Sequence, residues 1–264
     1  MSQFRLGLVA AVVAGCAGDA SLVVEPGESD GGGKADSDEP RAELKITIEP
    51  TQIARARSRL SLRNDKSQTR RIYFYDTPSL VLLDSGTILR AREIDGEDDD
   101  STVKLRPFTI DQLGGSFQGL DGLKCEVDRT TEHASSACSL KVAQDEGEIA
   151  DVADGLRDID KLFSSEQEDL FATYGPSIGW DELYIFGPIP ARVWTIRTSA
   201  LPEKLTAELW YLPDSTQMLE LSMKVDVDDA DDAMDELLDF VDARGLDLAD
   251  EQESKTRRAL EAFL

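Results

Sequence analysis

Histidine is almost absent from this chain. His133 is the only one in 264 residues, and it falls in a polar stretch. Cysteine is nearly as scarce, with three in all, and thiolates at Cys125 and Cys138 have no further soft ligands beside them. That argues against an imidazole–thiolate metal site. Basic residues are also few: 28 Lys and Arg stand against 53 Asp and Glu, for a formal net charge of −25. The summed field repels phosphates at long range, which argues against a nucleic-acid-binding face while leaving room for a local basic pocket. The apolar run at residues 6–14 is too short to span a bilayer as a permanent helix. No internal repeat stands out beyond an alternation of apolar and polar residues.

What is present begins with that short run. It follows a five-residue start carrying one positive charge and ends in Val13-Ala14-Gly15-Cys16. This resembles the lipobox of bacterial lipoproteins. The resemblance implies a signal peptide at residues 1–15, cleavage before Cys16, and acyl chains on Cys16 that anchor the chain to a membrane. Ala17, rather than Asp, after the cysteine points to the outer membrane, so the expected location is the bacterial cell envelope. The alternative is an ordinary secretory signal in which the cysteine is accidental. Residues 16–40, with Gly31-Gly32-Gly33 and many acids, read as a disordered tether. The remainder, 41–264, is long enough for one large domain. In an oxidising compartment Cys125 and Cys138 are a candidate disulfide, closed across the polar segment between them; two buried free thiols are the alternative.

Period-two alternation marks strands at 41–49, 70–76, 86–95, 102–107, 122–130, 181–188, 191–198, 205–212 and 217–225. Helices are expected at 51–64, 147–163, 165–174 and 229–244, the last with Ala230, Met234, Leu237, Leu238 and Val241 on one stripe before Gly245. Ser254 is placed to cap a final helix whose apolar side holds Leu260, Phe263 and Leu264.

The polar faces of the strands are unusual. Nine basic residues (Arg41, Lys45, Arg90, Arg92, Lys104, Arg106, Lys124, Arg192 and Lys224) share them with five acids (Glu43, Glu126, Asp128, Glu208 and Glu220). The face is therefore basic on a strongly acidic chain. The opposite faces, such as Leu44-Ile46-Ile48 and Leu219-Leu221-Met223-Val225, are apolar. Two arrangements fit. Either the charged face is a solvated outside over an apolar core, or the sheet closes with its charges inward and helices cover the apolar outside.

The same residues resemble the CYTH, or triphosphate-tunnel, superfamily. Arg41-Ala-Glu-Leu-Lys45 resembles its N-terminal Glu-x-Glu-x-Lys strand. Tyr73-Phe-Tyr-Asp-Thr-Pro78, leading to Leu89-Arg-Ala-Arg92, resembles its Asp-Thr-Pro stretch and Leu-Arg-x-Arg strand. Val103-Lys-Leu-Arg106, Lys124-Cys-Glu-Val-Asp128 and Leu219-Glu-Leu-Ser-Met-Lys224 follow in the family's order. The resemblance implies an α+β fold, an eight-stranded antiparallel β tunnel with flanking helices. It also implies a triphosphate or polyphosphate ligand, a divalent Mg²⁺ or Mn²⁺ cofactor, and hydrolysis of a phosphoric anhydride. By motif position the substrate-binding set is Lys45, Arg90, Arg92, Lys104, Arg106, Arg192 and Lys224. The metal ligands are Glu43, Glu126, Asp128, Glu208 and Glu220, and the catalytic roles fall to Glu43, Lys45 and Glu220. The chemistry suits the residue types, because guanidinium and ammonium groups bind phosphate oxygens and hard divalent cations take carboxylates. Adenylate cyclase activity, another property of the family, is disfavoured for an exported protein that meets little ATP.

Two positions depart from the pattern. Arg41 stands where the first Glu of the N-terminal motif belongs, and Ser222 replaces the second Glu of the late one. Each removes a carboxylate from the expected metal site, and Arg41 adds a repelling charge. A catalytically weakened lipoprotein that binds polyphosphate without turning it over is thus the alternative reading.

Overall fold

The structure, a computed structural model, describes residues 21–28, 41–252 and 254–264. The expected signal peptide, Cys16 and most of the expected tether lie outside the described residues. Elements run in the order β1 (Val23–Pro26), β2 (Arg41–Ile48), α1 (Ile53–Arg59), β3 (Gln68–Asp76), α2 (Val81–Asp84), β4 (Thr87–Ile94), β5 (Asp99–Leu105), β6 (Leu123–Arg129), β7 (Ala134–Gln144) and α3 (Glu148–Ala153). They continue with α4 (Ser165–Tyr174), β8 (Tyr184–Arg197), β9 (Leu205–Tyr211), β10 (Gln217–Asp226), α5 (Ala230–Asp242) and α6 (Lys255–Glu261).

Nine strands close into a barrel in the order β3-β4-β5-β7-β6-β2-β10-β9-β8, with β8 returning to β3. Every neighbouring pair in it is antiparallel except β2 and β6, which run parallel with Arg41 opposite Glu126 and Leu44 opposite Arg129. The α+β barrel matches the expected architecture, with a different strand inventory. The segments expected at 181–188 and 191–198 are one continuous strand, β8, and β7 is an addition. β7 begins Ala134-Ser-Ser-Ala-Cys138, small residues on both faces, so it lacks the contrast that marks a strand. Part of the expected disordered tether is also a strand. Val23 to Pro26 pair with β8, Val23 opposite Arg197, and Gly27 N donates to Val193 O at 2.9 Å.

The outside of the barrel is apolar and covered. Leu44, Ile46 and Ile48 of β2 and Leu219, Leu221 and Met223 of β10 are buried in one cluster with Ile53 and Ala56 of α1 and Met234, Leu237, Phe240 and Val241 of α5. Burying each such side chain contributes about 1.5–3 kcal/mol, and this docking holds α5, which at 13 residues would be marginal alone. A second outer cluster joins Leu89, Val103, Leu105 and Leu140 to Ile149 and Val152 of α3 and Leu170 and Phe171 of α4. Gln167 of α4 reaches into the strands, donating to the Leu140 carbonyl at 2.9 Å and the Ser101 carbonyl at 3.2 Å.

A third cluster lies within the barrel. Ile72, Phe74, Ile88 and Trp210 are buried with Ala259 and Leu260 of α6, so the C-terminal helix stoppers one end with apolar side chains. Outside, Arg257 of α6 pairs with Asp84 at 3.1 Å, and Phe263 packs edge-on against Phe186 at 5.7 Å. Among the described residues, no helix is long and apolar enough to cross a membrane.

Candidate functional site: a charged cavity inside the barrel

The rest of the barrel interior is a cavity of about 620 Å³ lined by charged side chains. Strand alternation puts them there: once Leu44 and Ile46 turn outward to α5, Glu43 and Lys45 must turn inward. Glu43, Lys45, Arg90, Arg92, Lys104, Arg106, Glu126, Asp128, Glu208, Glu220 and Lys224 all line it. Arg192 does not. The β8–β9 register sets Val193 beside the inward-facing Glu208, so Arg192 faces outward, where its Nη1 donates to Ser67 Oγ at 2.8 Å. Four lining cations escaped the motif reading: Arg70 at the start of β3, Lys141 on β7, Lys204 just before β9, and Lys255 at the start of α6.

The Asp-Thr-Pro motif is architectural. Buried Asp76 accepts from the backbone N–H groups of Thr77 (2.7 Å), Leu82 (2.9 Å) and Leu83 (2.9 Å), which fixes the turn from β3 into β4. At the start of β4, Gly86 has φ +81°, and a Cβ there would lie 1.7 Å from the Arg106 carbonyl oxygen. Its own carbonyl accepts from Arg106 N at 2.8 Å, so glycine is required for the backbone approach that seats Arg106.

The acids and lysines form two groups. In the first, Lys45 Nζ lies 2.8 Å from both Glu43 and Asp128, Lys104 Nζ lies 2.6 Å from Asp128, and Lys224 Nζ lies 2.9 Å from Glu126. Glu43, Glu126 and Asp128 each place one carboxylate oxygen within 4.8 Å of the others, a spacing that can hold a metal ion. Burial alone would raise the Glu43 and Asp128 carboxyls, but the lysines outweigh it and hold both below their ordinary values. Lys45 is correspondingly raised by Glu43 and Asp128 against the opposing effect of burial, whereas burial and the neighbouring Lys45 push Lys104 down.

The second group separates Glu208 and Glu220 from that triad. The two face each other across β9 and β10 and share the Lys255 ammonium, 2.8 Å from Glu220 and in direct contact with Glu208. The five carboxylates expected to hold metal are thus not one cluster. Ser222 explains the division. It sits on the inner face of β10 between Glu220 and Lys224, opposite Lys45, where a carboxylate would have linked the two groups.

The arginines behave differently. Arg92 is neutralised by Asp100 through Nε–Oδ1 (3.0 Å) and Nη2–Oδ2 (2.5 Å). Arg70, Arg90 and Arg106 have no carboxylate within ion-pair distance among the described residues. Arg70 donates to Gln68 Oε1 (2.7 and 2.9 Å) and the Glu28 carbonyl (3.2 Å), and Arg106 donates to Ser254 Oγ (2.9 Å). Among the described residues Arg90 reaches only Thr102 Oγ1, at 3.4 Å, and its buried Nε has no partner. Burial and then Arg92 push Arg90 down to about 10. Cys125 and Cys138, side by side on β6 and β7, are joined by a disulfide. His133 is exposed at the turn between those strands.

No protein-family model matches the chain, and no curated protein matches it in sequence. Solved structures do match its fold. A candidate adenylyl cyclase from Hippeastrum, described as having a dominant triphosphatase activity, superposes with a TM-score of 0.57 at 15% identity. The match covers 81% of this chain and 92% of that one. A candidate adenylate cyclase from Bacillus halodurans matches with the same TM-score and identity over 83% of this chain and 97% of that one. At 15% identity the likeness is one of fold. The chain shares its closed barrel fold with these two structures.

Proposed function

We propose that the chain takes the triphosphate group of inorganic tripolyphosphate or an organic triphosphate into the barrel cavity and hydrolyses a phosphoric anhydride bond with Mg²⁺ or Mn²⁺. The observation that carries this reading is the trio Arg70, Arg90 and Arg106, which line the barrel cavity with no carboxylate within ion-pair distance among the described residues. Placing an uncompensated cation out of water costs several kcal/mol, and a polyanion threaded along the cavity offsets that for all three at once. Guanidinium forks match phosphate oxygens in pairs.

The donor set fits the cation. Glu43, Glu126 and Asp128 supply hard oxygens at convergent positions. When bound, a divalent ion there neutralises charge on the phosphoryl group and lowers the pKa of a bound water. Lys45 and Lys104, which share Asp128, are placed to turn their ammonium groups from that carboxylate to an entering phosphate. The dominant triphosphatase activity of the Hippeastrum protein supports hydrolysis over cyclisation.

A second reading, capture of polyphosphate without turnover, is favoured by the carboxylates missing at Arg41 and Ser222 and by the lysine partners that the lining acids already have. Phosphate release from tripolyphosphate, ATP or thiamine triphosphate with Mn²⁺ establishes the first reading. Calorimetric binding without release selects the second, and absence of binding removes both.

The envelope location belongs to the same proposal, with lipid attachment at Cys16 and the outer membrane as the site. It is supported by the leader residues and by the Cys125–Cys138 disulfide, which suits an oxidising compartment. Incorporation of labelled palmitate, lost in Cys16→Ser, tests it.

A further inference from the structure

Lys255 is held as deliberately as any strand residue. Just before it, the Gln252 side chain accepts from Thr47 N at 2.8 Å and donates to Thr47 O at 3.2 Å, and Ser254 Oγ accepts from Arg106. Just after it, Ala259 and Leu260 are buried in the inner apolar cluster. The clamp directs the Lys255 side chain into the cavity, 11% exposed, onto Glu208 and Glu220 and 4.6 Å from the Trp210 ring centroid.

We infer that Lys255 is a resident cation that fills the Glu208–Glu220 pair and so limits the cavity to one exchangeable divalent ion, at Glu43, Glu126 and Asp128. The second half of this statement rests on the metal reading above; the first half stands without it. Two carboxylates facing each other across adjacent strands in a cavity repel and require a positive charge between them. A tethered ammonium supplies that charge at high effective concentration and without stripping the water shell of a divalent ion. A metal ion entering this pair would evict an ammonium into a cavity already crowded with cations, leaving it buried and unpaired. It would also find two carboxylates only, because Ser222 withholds the third.

The test is Mn²⁺ titration of the full chain, counting bound ions by the electron paramagnetic resonance of free Mn²⁺. The expected count is one ion for the wild type and two for Lys255→Met, which keeps the length of the stem and removes the charge. Glu220→Gln, in a chain that retains Lys255, is expected to leave the wild-type count at one with affinity within about twofold, the effect of a neighbouring charge rather than a ligand. Two ions in the wild type overturn the inference, as does a folded Lys255→Met that gains none. If that variant does not fold, loss of Mn²⁺ in Glu220→Gln overturns the inference and retention supports it. A wild type that binds none beside a Lys255→Met that binds one removes the triad as a metal site and leaves the role of Lys255 standing.

Discussion

Arg41 and Asp226 stand directly opposite each other on β2 and β10, joined Nη1 to Oδ1 at 2.9 Å, while Arg41 Nη2 donates to the Lys224 carbonyl at 3.0 Å. The guanidinium that replaces an expected carboxylate is therefore turned to the strand ends, where it is neutralised. Its side chain is 38% exposed and that of Asp226 43%, so the pair is screened by solvent. Arg41→Ala is expected to cost less than about 1 kcal/mol in a urea melt. It should change Mn²⁺ affinity by less than about threefold, as a screened charge does. A tenfold gain in Mn²⁺ affinity would show instead that Arg41 repels the metal.

Arg90 should give effects of opposite sign on stability and binding. Among the described residues its buried Nε lacks a partner, and its one hydrogen bond is the 3.4 Å contact to Thr102. Arg90→Met removes a desolvated charge, so the melting temperature of the ligand-free protein should stay level or rise. Affinity for tripolyphosphate should fall roughly 10- to 100-fold, corresponding to about 1.5–3 kcal/mol for hydrogen bonds to a charged group. Calorimetry beside a thermal melt checks both. A structural arginine would instead lower the melting temperature and leave binding alone.

Local pattern made the barrel's two faces legible. Glu43 and Lys45 alternate with Leu44 and Ile46, but the pattern left open which face turns inward; the packing of Leu44 and Ile46 against α1 and α5 settles it. Where the alternation is blurred, the reading failed. In Arg192-Val193-Trp194-Thr195-Ile196 both faces carry apolar residues, and only the pairing of Val193 with Glu208 turns Arg192 outward. Lys255 was invisible for a different reason: its partner Glu208 is 47 residues away on β9, and no periodicity within a helix reports such a meeting. The division of the acids into two groups likewise follows from Ser222, whose consequence needs the register of β10 against β2.

The Cys125–Cys138 disulfide ties β6 to β7 across a separation of 13 residues. Chain-entropy arguments put its contribution at about 3 kcal/mol for a loop of this size. The Cys125→Ser, Cys138→Ser double variant should therefore unfold at lower urea with little change in the slope of the transition. The same loss should appear in wild-type protein unfolded under reducing conditions, and no difference between oxidised and reduced protein would count against the bond.

Acid should unfold this protein through its lining. Asp128, Glu43 and Glu208 are all held below their ordinary values, 3.8 for the aspartate and 4.5 for the glutamates. Burial opposes this in each case, and Lys45, Lys104 and Lys255 overcome it. Between the ordinary and the lowered values, the unfolded chain binds protons that the folded chain does not, so stability rises with pH in that window. The contribution is complete above about pH 4.5 and is lost as pH falls through the folded-state values, at up to about 1.4 kcal/mol per pH unit for each group. Melting temperatures measured in chelator should thus be level from pH 5 to neutrality and drop steeply below pH 4. Asp128→Asn sharpens the test. It strips Lys45 and Lys104 of their shared carboxylate at a site where the Asp128 side chain is 11% exposed, and should cost about 3–5 kcal/mol at neutral pH. It should also flatten the acid slope, because one of the titrating groups is gone. A melting temperature that holds level down to pH 3 would mean that these ion pairs do not stabilise the lining.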